Sequence, residues 1–147
     1  MSNNTLKEAI LWAESAIEIP TEKHKSTQIG VHLEEFAEFL SELVVTDAVM
    51  KACLYTAKHY LERAAHYFKE VGDASIKNPI LALDALCDNI QTAACVAHTH
   101  GYDLEGAMQE VVNSNFSKYV DRIPIFDENM KIKKGPNYYK PNLEPFI

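Results

Sequence analysis

The sequence predicts an all-α protein, a bundle of four to five helices with an extended C-terminal tail, on three observations. Apolar residues recur at helical spacing along five segments. No segment of any length alternates with the two-residue period of a strand, and Asn, Asp, Pro and Gly stand where helices would start and stop. The helical segments fill residues 1–120, read as one domain. After Asp121 the periodicity is lost, and Pro124, Pro136, Pro141 and Pro145 mark 121–147 as an extended tail packed on that domain or on a neighbouring subunit.

The first helix follows a capping-box pattern, Thr5-Leu-Lys-Glu8, and runs through Leu6, Ala9, Ile10, Ala13 and Ile17 until Pro20, with Trp12 at its apolar edge. A polar connection, Thr21 to Gln28, leads to a second helix expected from about Ser26 or Thr27. Its apolar stripe is Leu33, Phe36, Ala37, Leu40, Leu43 and Val44, and Glu34, Glu35, Glu38 and Glu42 form an acidic face opposite. A long third helix spans about Asp47 to Val71 and stops at Gly72, with Tyr55, Tyr60 and Tyr67 read as core and edge packing. Asn78-Pro79 opens a fourth helix and Gly101 closes it. Asp103 caps a fifth, whose inner face Leu104, Ala107, Met108, Val111 and Val112 continues into Asn115 and Lys118, a polar and a cationic residue where apolar ones would be expected.

A formal net charge of −7 argues against a general nucleic-acid binder. No apolar run approaches the ~18 to 20 residues that span a bilayer, and the N-terminus lacks the basic-then-apolar pattern of a secretory signal, so no membrane association and a cytoplasmic location are expected. Cys53, Cys87 and Cys95 lie in apolar helical segments and read as small buried thiols.

The fourth helix carries the sharpest signal. From Ile80 to His100 it is apolar or small almost all the way round, which predicts burial, yet Asp84 and Asp88 stack one turn apart on one edge, in line with Gln91, Cys95 and His98. Ionised carboxylates in an apolar setting need a cation or hydrogen bonds. Glu35 and Glu38, three apart on the second helix, can face this pair, and four carboxylate groups form the oxygen-only donor set of Mg²⁺ or Mn²⁺. The Glu-x-x-His elements of a di-iron bundle are missing, and Cys95-x-x-His98-x-His100 splays its side chains and lacks a second cluster for zinc.

In order and spacing, Glu34-Glu35-Phe-Ala-Glu38, Asp84-Ala-Leu-Cys-Asp88, Gly101-Tyr-Asp103 and Asn115-Phe-Ser-Lys118 resemble the all-α nucleoside triphosphate pyrophosphohydrolases of MazG-like type, related to dimeric dUTPases and phosphoribosyl-ATP pyrophosphohydrolases. The segment from Phe126 to Tyr138 is similar to the tails of phage and bacterial members. The family pattern has Glu where this chain has Ala85, the acid being Asp84 instead. The resemblance implies hydrolysis of a (deoxy)nucleoside triphosphate to a monophosphate and pyrophosphate. It implies Mg²⁺, or Mn²⁺, on Glu35, Glu38, Asp84 and Asp88, with Glu34 or Glu38 taking the proton of the attacking water. Lys118 would stabilise phosphate charge and Asn115 bind phosphate or sugar. The tail lysines Lys131, Lys133, Lys134 and Lys140 would close over the triphosphate or cover a neighbouring subunit, and Tyr138 or Tyr139 would pack on a base. A homodimer or homotetramer is implied as well. Two alternatives stay open: a catalytically silent interaction protein that kept the fold, and a pyrophosphohydrolase of a non-canonical or phosphoribosyl nucleotide.

Overall fold

The computed structural model describes residues 4–147, and its class is all-α: the described residues form five α-helices, with no strand beyond an isolated bridge between Val120 and Ile123. The helices are α1 (Thr5–Ala16), α2 (Glu22–Ser41), α3 (Ala48–Glu70), α4 (Pro79–Thr99) and α5 (Leu104–Phe116), followed by one 3-10 turn, Glu144–Phe146. They fall into two compact units. One comprises residues 4–18, Ile76–Ile125 and Ile132–Ile147, and the other Ile19–Ser75 with Phe126–Lys131.

Helix ends follow their capping chemistry. Asp47, Asn78 and Asp103 accept hydrogen bonds from first-turn amides of α3, α4 and α5, and Gly72 and Gly101 take φ of 77° and 78° just past α3 and α4. Two starts differ from expectation. Asn4, not Thr5, caps α1, because Asn4 Oδ1 accepts the Lys7 amide at 3.0 Å and Thr5 is already helical. Helix α2 begins at Glu22, well before Ser26, on a capping box in which Thr21 accepts the His24 amide and His24 Nδ1 accepts the Thr21 amide. Histidine thus does the work usually assigned to Glu or Gln. His24 Nε2 is buried without a hydrogen-bond partner, and the ring meets Phe126 edge-on at 5.6 Å between centroids.

In the second unit α2 and α3 pack closely at Gly30. A Cβ there would lie 2.7 Å from the backbone oxygen of Ala65, so only glycine permits the approach. Fully buried Ser26 donates to the Phe68 carbonyl at 2.7 Å, and Lys23 Nζ donates to the carbonyls of Lys69 and Glu70, where the negative end of the α3 dipole favours a cation. The loop Phe126–Lys131 lies along one face of α2 at helical spacing: Phe126 against His24, the Asn129 carbonyl accepting from Thr27 at 2.7 Å, and Lys131 on Glu34.

In the first unit α1 rests on α5, with Gln109 Nε2 donating to Glu8 at 2.6 Å, and Ala16 and Val112 are buried. The tail straps α5 from its end back to its start. Gly135 N–H donates to the Lys118 carbonyl (3.1 Å), Ser114 Oγ to the Tyr139 carbonyl (2.7 Å), Asn142 N–H to Glu110 (3.1 Å) and Asp103 N–H to the Phe146 carbonyl (2.9 Å). The strap is irregular because each bond satisfies a group at the helix rather than in a ladder.

Three expectations are overturned. Of α4 only Ala97 is buried, and Cys53, Cys87 and Cys95 are exposed free thiols. An apolar face predicts that something covers it, and in the single chain most of α4 is uncovered. By length and composition α4 is also apolar enough to cross a membrane, contrary to the reading that no run is long enough.

Candidate functional site

The carboxylates lie on two helices. Glu34, Glu35 and Glu38 project from the second half of α2, in the second unit, and Glu35 and Glu38 are exposed. Asp84 and Asp88 are exposed on α4, in the first unit. The pairs at i, i+3 and i, i+4 share a helix face as their spacing requires. Among the described residues, however, no three His, Cys, Asp or Glu side chains gather as a metal ion requires. Within its own unit each helix supplies two of the expected Mg²⁺ donors, Glu35 and Glu38 on α2 and Asp84 and Asp88 on α4, and a hard cation takes about six ligands.

Glu34 has a different environment from its neighbours. Its two oxygens accept from Lys69 Nζ and Lys131 Nζ, each at 2.8 Å. Partial burial pushes its carboxyl up, but the hydrogen bonds and charges of the two lysines outweigh that and hold it below the ordinary 4.5. A carboxylate stabilised as an anion is a poor proton acceptor, which weighs against Glu34 in that role. The same pairing ties the Phe126–Lys131 loop to α2 and α3. Because the folded-state value is lowered, the stabilisation is complete above pH 4.5 and is lost as pH falls through that lowered value. Glu34→Gln is expected to cost about 1–2 kcal/mol at pH 7, with wild-type and variant stabilities converging in acid. Urea titrations at pH 7 and below 4 check this, and a pH-independent difference would contradict it.

The phosphate-side candidates come together at the far end of α5. Lys118 Nζ donates to Asn115 Oδ1 at 2.7 Å and stands 5.8 Å from the ring centroid of Trp12. The Gly135 amide reaches the Lys118 carbonyl, and a Cβ at Gly135 would lie 2.6 Å from that oxygen, so the tail can approach so closely only with glycine there. One residue earlier, Lys134 Nζ lies 4.8 Å from the ring centroid of Tyr138. Asn115, Lys118, Lys134 and Tyr138 are thus linked through one helix end and the turn that docks on it.

Residues not anticipated complete this end. Trp12 stacks on Tyr119, whose hydroxyl donates to the Trp12 carbonyl at 3.1 Å and bonds Ser15 at 3.0 Å. Burial raises the Tyr119 phenol above its usual range against a smaller opposing effect from Ser15, keeping it a neutral donor. Beside it opens a cavity of ≈ 590 Å³ lined by residues including Ser15, Phe116, Tyr119, Arg122 and Asn137, within the size range of small-molecule pockets. Arg122 is held there by a tight turn in which it and Asp121 take φ of 66° and 51°, a left-handed geometry that disfavours non-glycine residues. Trp12 was visible as the chain's single tryptophan. Arg122 carried no signal, since its position depends on backbone strain rather than periodicity. Comparison of the chain with protein-family models, with curated proteins and with solved structures returns no match.

Proposed function

We propose that the chain is a nucleoside triphosphate pyrophosphohydrolase, releasing a monophosphate and pyrophosphate. The observation that carries the reading is the end of α5: an ammonium group positioned by Asn115, a second lysine on a docked turn, and an aromatic-lined cavity bearing Arg122. That is a set of cations for phosphate oxygens beside flat rings for a base. Lys118 binds charge on the phosphates, and Asn115 fixes its direction. Lys134 adds a cation from the tail, while Phe116 and Tyr119 wall the cavity. Glu38 is the group assigned to the proton of the attacking water. Dependence on Mg²⁺ or Mn²⁺ is part of the proposal on the chemistry of Glu35, Glu38, Asp84 and Asp88 alone.

A second reading is favoured by one observation, Ala85 where the family pattern has Glu. On that reading the chain is a catalytically silent interaction protein. Purified chain incubated with each NTP and dNTP and Mg²⁺ separates the two. The proposal expects pyrophosphate release from at least one nucleotide and loss of about 100-fold or more in Asp88→Asn, the order seen when one electrostatic contributor to a transition state is removed. Asp88 is exposed, so its variant should melt within a degree or two of wild type without metal. No pyrophosphate from any nucleotide would sink the enzyme reading, and a large loss of metal-free stability in Asp88→Asn would mark that residue as structural.

A further inference from the structure

Just past α5, Val120 to Ile123 form a tight two-residue turn. Val120 and Ile123 close it by exchanging both backbone hydrogen bonds, at 3.0 and 2.8 Å, and Asp121 and Arg122 between them take φ of 51° and 66°. Two successive positive φ values suit a turn filled by Asn and Gly, and arginine at its second position is strained. Backbone strain of this kind clusters at binding and active sites. Here the turn sets a carboxylate and a guanidinium side by side on the ≈ 590 Å³ cavity that Phe116 and Tyr119 wall. The two charges do not pair with each other, and among the described residues neither side chain has an ion-pair partner. Flat walls, a two-oxygen acceptor and a forked donor thus meet at one cavity, wholly within the first unit.

We infer that Asp121 and Arg122 select a guanine base, so that the nucleotide taken by this cavity is a guanine nucleoside triphosphate. The inference deepens the proposed function and rests on it. Guanine carries two donors, N1–H and N2–H, on one edge and two acceptors, O6 and N7, on the next. A carboxylate accepts the first pair in parallel, and a guanidinium fork donates to the second. Adenine reverses the shared positions, with an acceptor at N1 and a donor at N6, so carboxylate would face acceptor and guanidinium would face donor. Cytosine and uracil lack N7 and offer the carboxylate a single donor group. The phosphates lead towards Lys118. Its Nζ stands 5.8 Å from the Trp12 ring, which is 6.3 Å from Tyr119 on the cavity wall, a path shorter than an extended nucleoside triphosphate.

Two measurements on the full chain test this with GTP, ITP, ATP, CTP and UTP: calorimetric binding in EDTA, where nothing is hydrolysed, and kcat/KM with Mg²⁺. GTP should exceed ATP by about 10- to 100-fold in both, the discrimination of one good bidentate pair. ITP, which lacks only the N2 amino group, should fall between them. Asp121→Asn should bring GTP down to the level of ITP without loss of thermal stability, because Asn suits a positive φ. Arg122→Gly should raise the melting temperature by relieving the strained φ, yet weaken GTP binding about 10-fold or more. Equal binding of all five nucleotides, binding of none, or a GTP-over-ITP preference kept in Asp121→Asn would overturn the inference. Pyrophosphate released equally from every nucleotide would overturn it too and leave the hydrolase reading standing. Selective GTP binding without pyrophosphate release would support Asp121 and Arg122 as the base readers and overturn the hydrolase reading alone.

Discussion

Gly30→Val is expected to separate α2 from α3 and to destabilise the chain by about 3 kcal/mol, at the upper end of overpacking costs. The clash is with backbone, the Ala65 carbonyl oxygen, so no rotamer change relieves it, and the backbone amide of Lys69 lies only 3.3 Å from the same added atom. In an open helix, replacing glycine with alanine gains about 1 kcal/mol of helix propensity. At Gly30 that gain is exceeded, because even one Cβ would sit 2.7 Å from the oxygen. Gly30→Ala should therefore destabilise as well, by less than valine. Glu34 lies four residues on, so displacing the helices would also strain its pair with Lys69. Denaturant unfolding of both variants checks the order. Wild-type stability in Gly30→Ala would mean that the helices shift freely at this crossing.

Lys118→Ala is expected to lower kcat/KM for the hydrolysed nucleotide by about 100- to 1,000-fold, the range for loss of one preorganised charge at a transition state. Stability should fall by about 1 kcal/mol, since the lost contacts include a hydrogen bond to Asn115 and a cation over Trp12 at a partly exposed site. Metal binding, measured by calorimetry with Mg²⁺ or Mn²⁺, should be untouched. Lys118→Arg should recover part of the activity, because charge is retained while the Asn115 geometry is not. Unchanged kinetics in Lys118→Ala would reduce the residue to a cation at the C-terminal end of α5, where the helix dipole alone favours one.

The helices were legible where their ends are written in local chemistry. Asp47, Asn78-Pro79 and Asp103 start α3, α4 and α5, and Gly72 and Gly101 close α3 and α4, because capping needs only neighbours in sequence. The start of α2 was misread because its capping box uses His24 where the pattern asks for Glu or Gln. Burial of α4 and of the three cysteines was misjudged for a different reason. Hydrophobicity predicts that a face is covered, not which chain covers it. The candidate site divides the same way. Asn115 and Lys118 stood out as polar residues continuing an apolar face, and the structure joins them by a hydrogen bond. Glu34 read as one acid among four, and only the fold reveals Lys69 and Lys131 at its oxygens, 35 and 97 residues away. The tail strap was equally hidden, since Ser114, Gly135 and Phe146 act through non-periodic contacts.

The central claim is the bond that is broken, and phosphorus NMR of a nucleoside triphosphate incubated with the full chain and Mg²⁺ reads it directly. The account predicts that the three triphosphate resonances give way to those of a nucleoside monophosphate and pyrophosphate, and that they persist in Lys118→Ala and Asp88→Asn over the same interval. Orthophosphate with a diphosphate as first products, or a spectrum unchanged for every nucleotide, would contradict it.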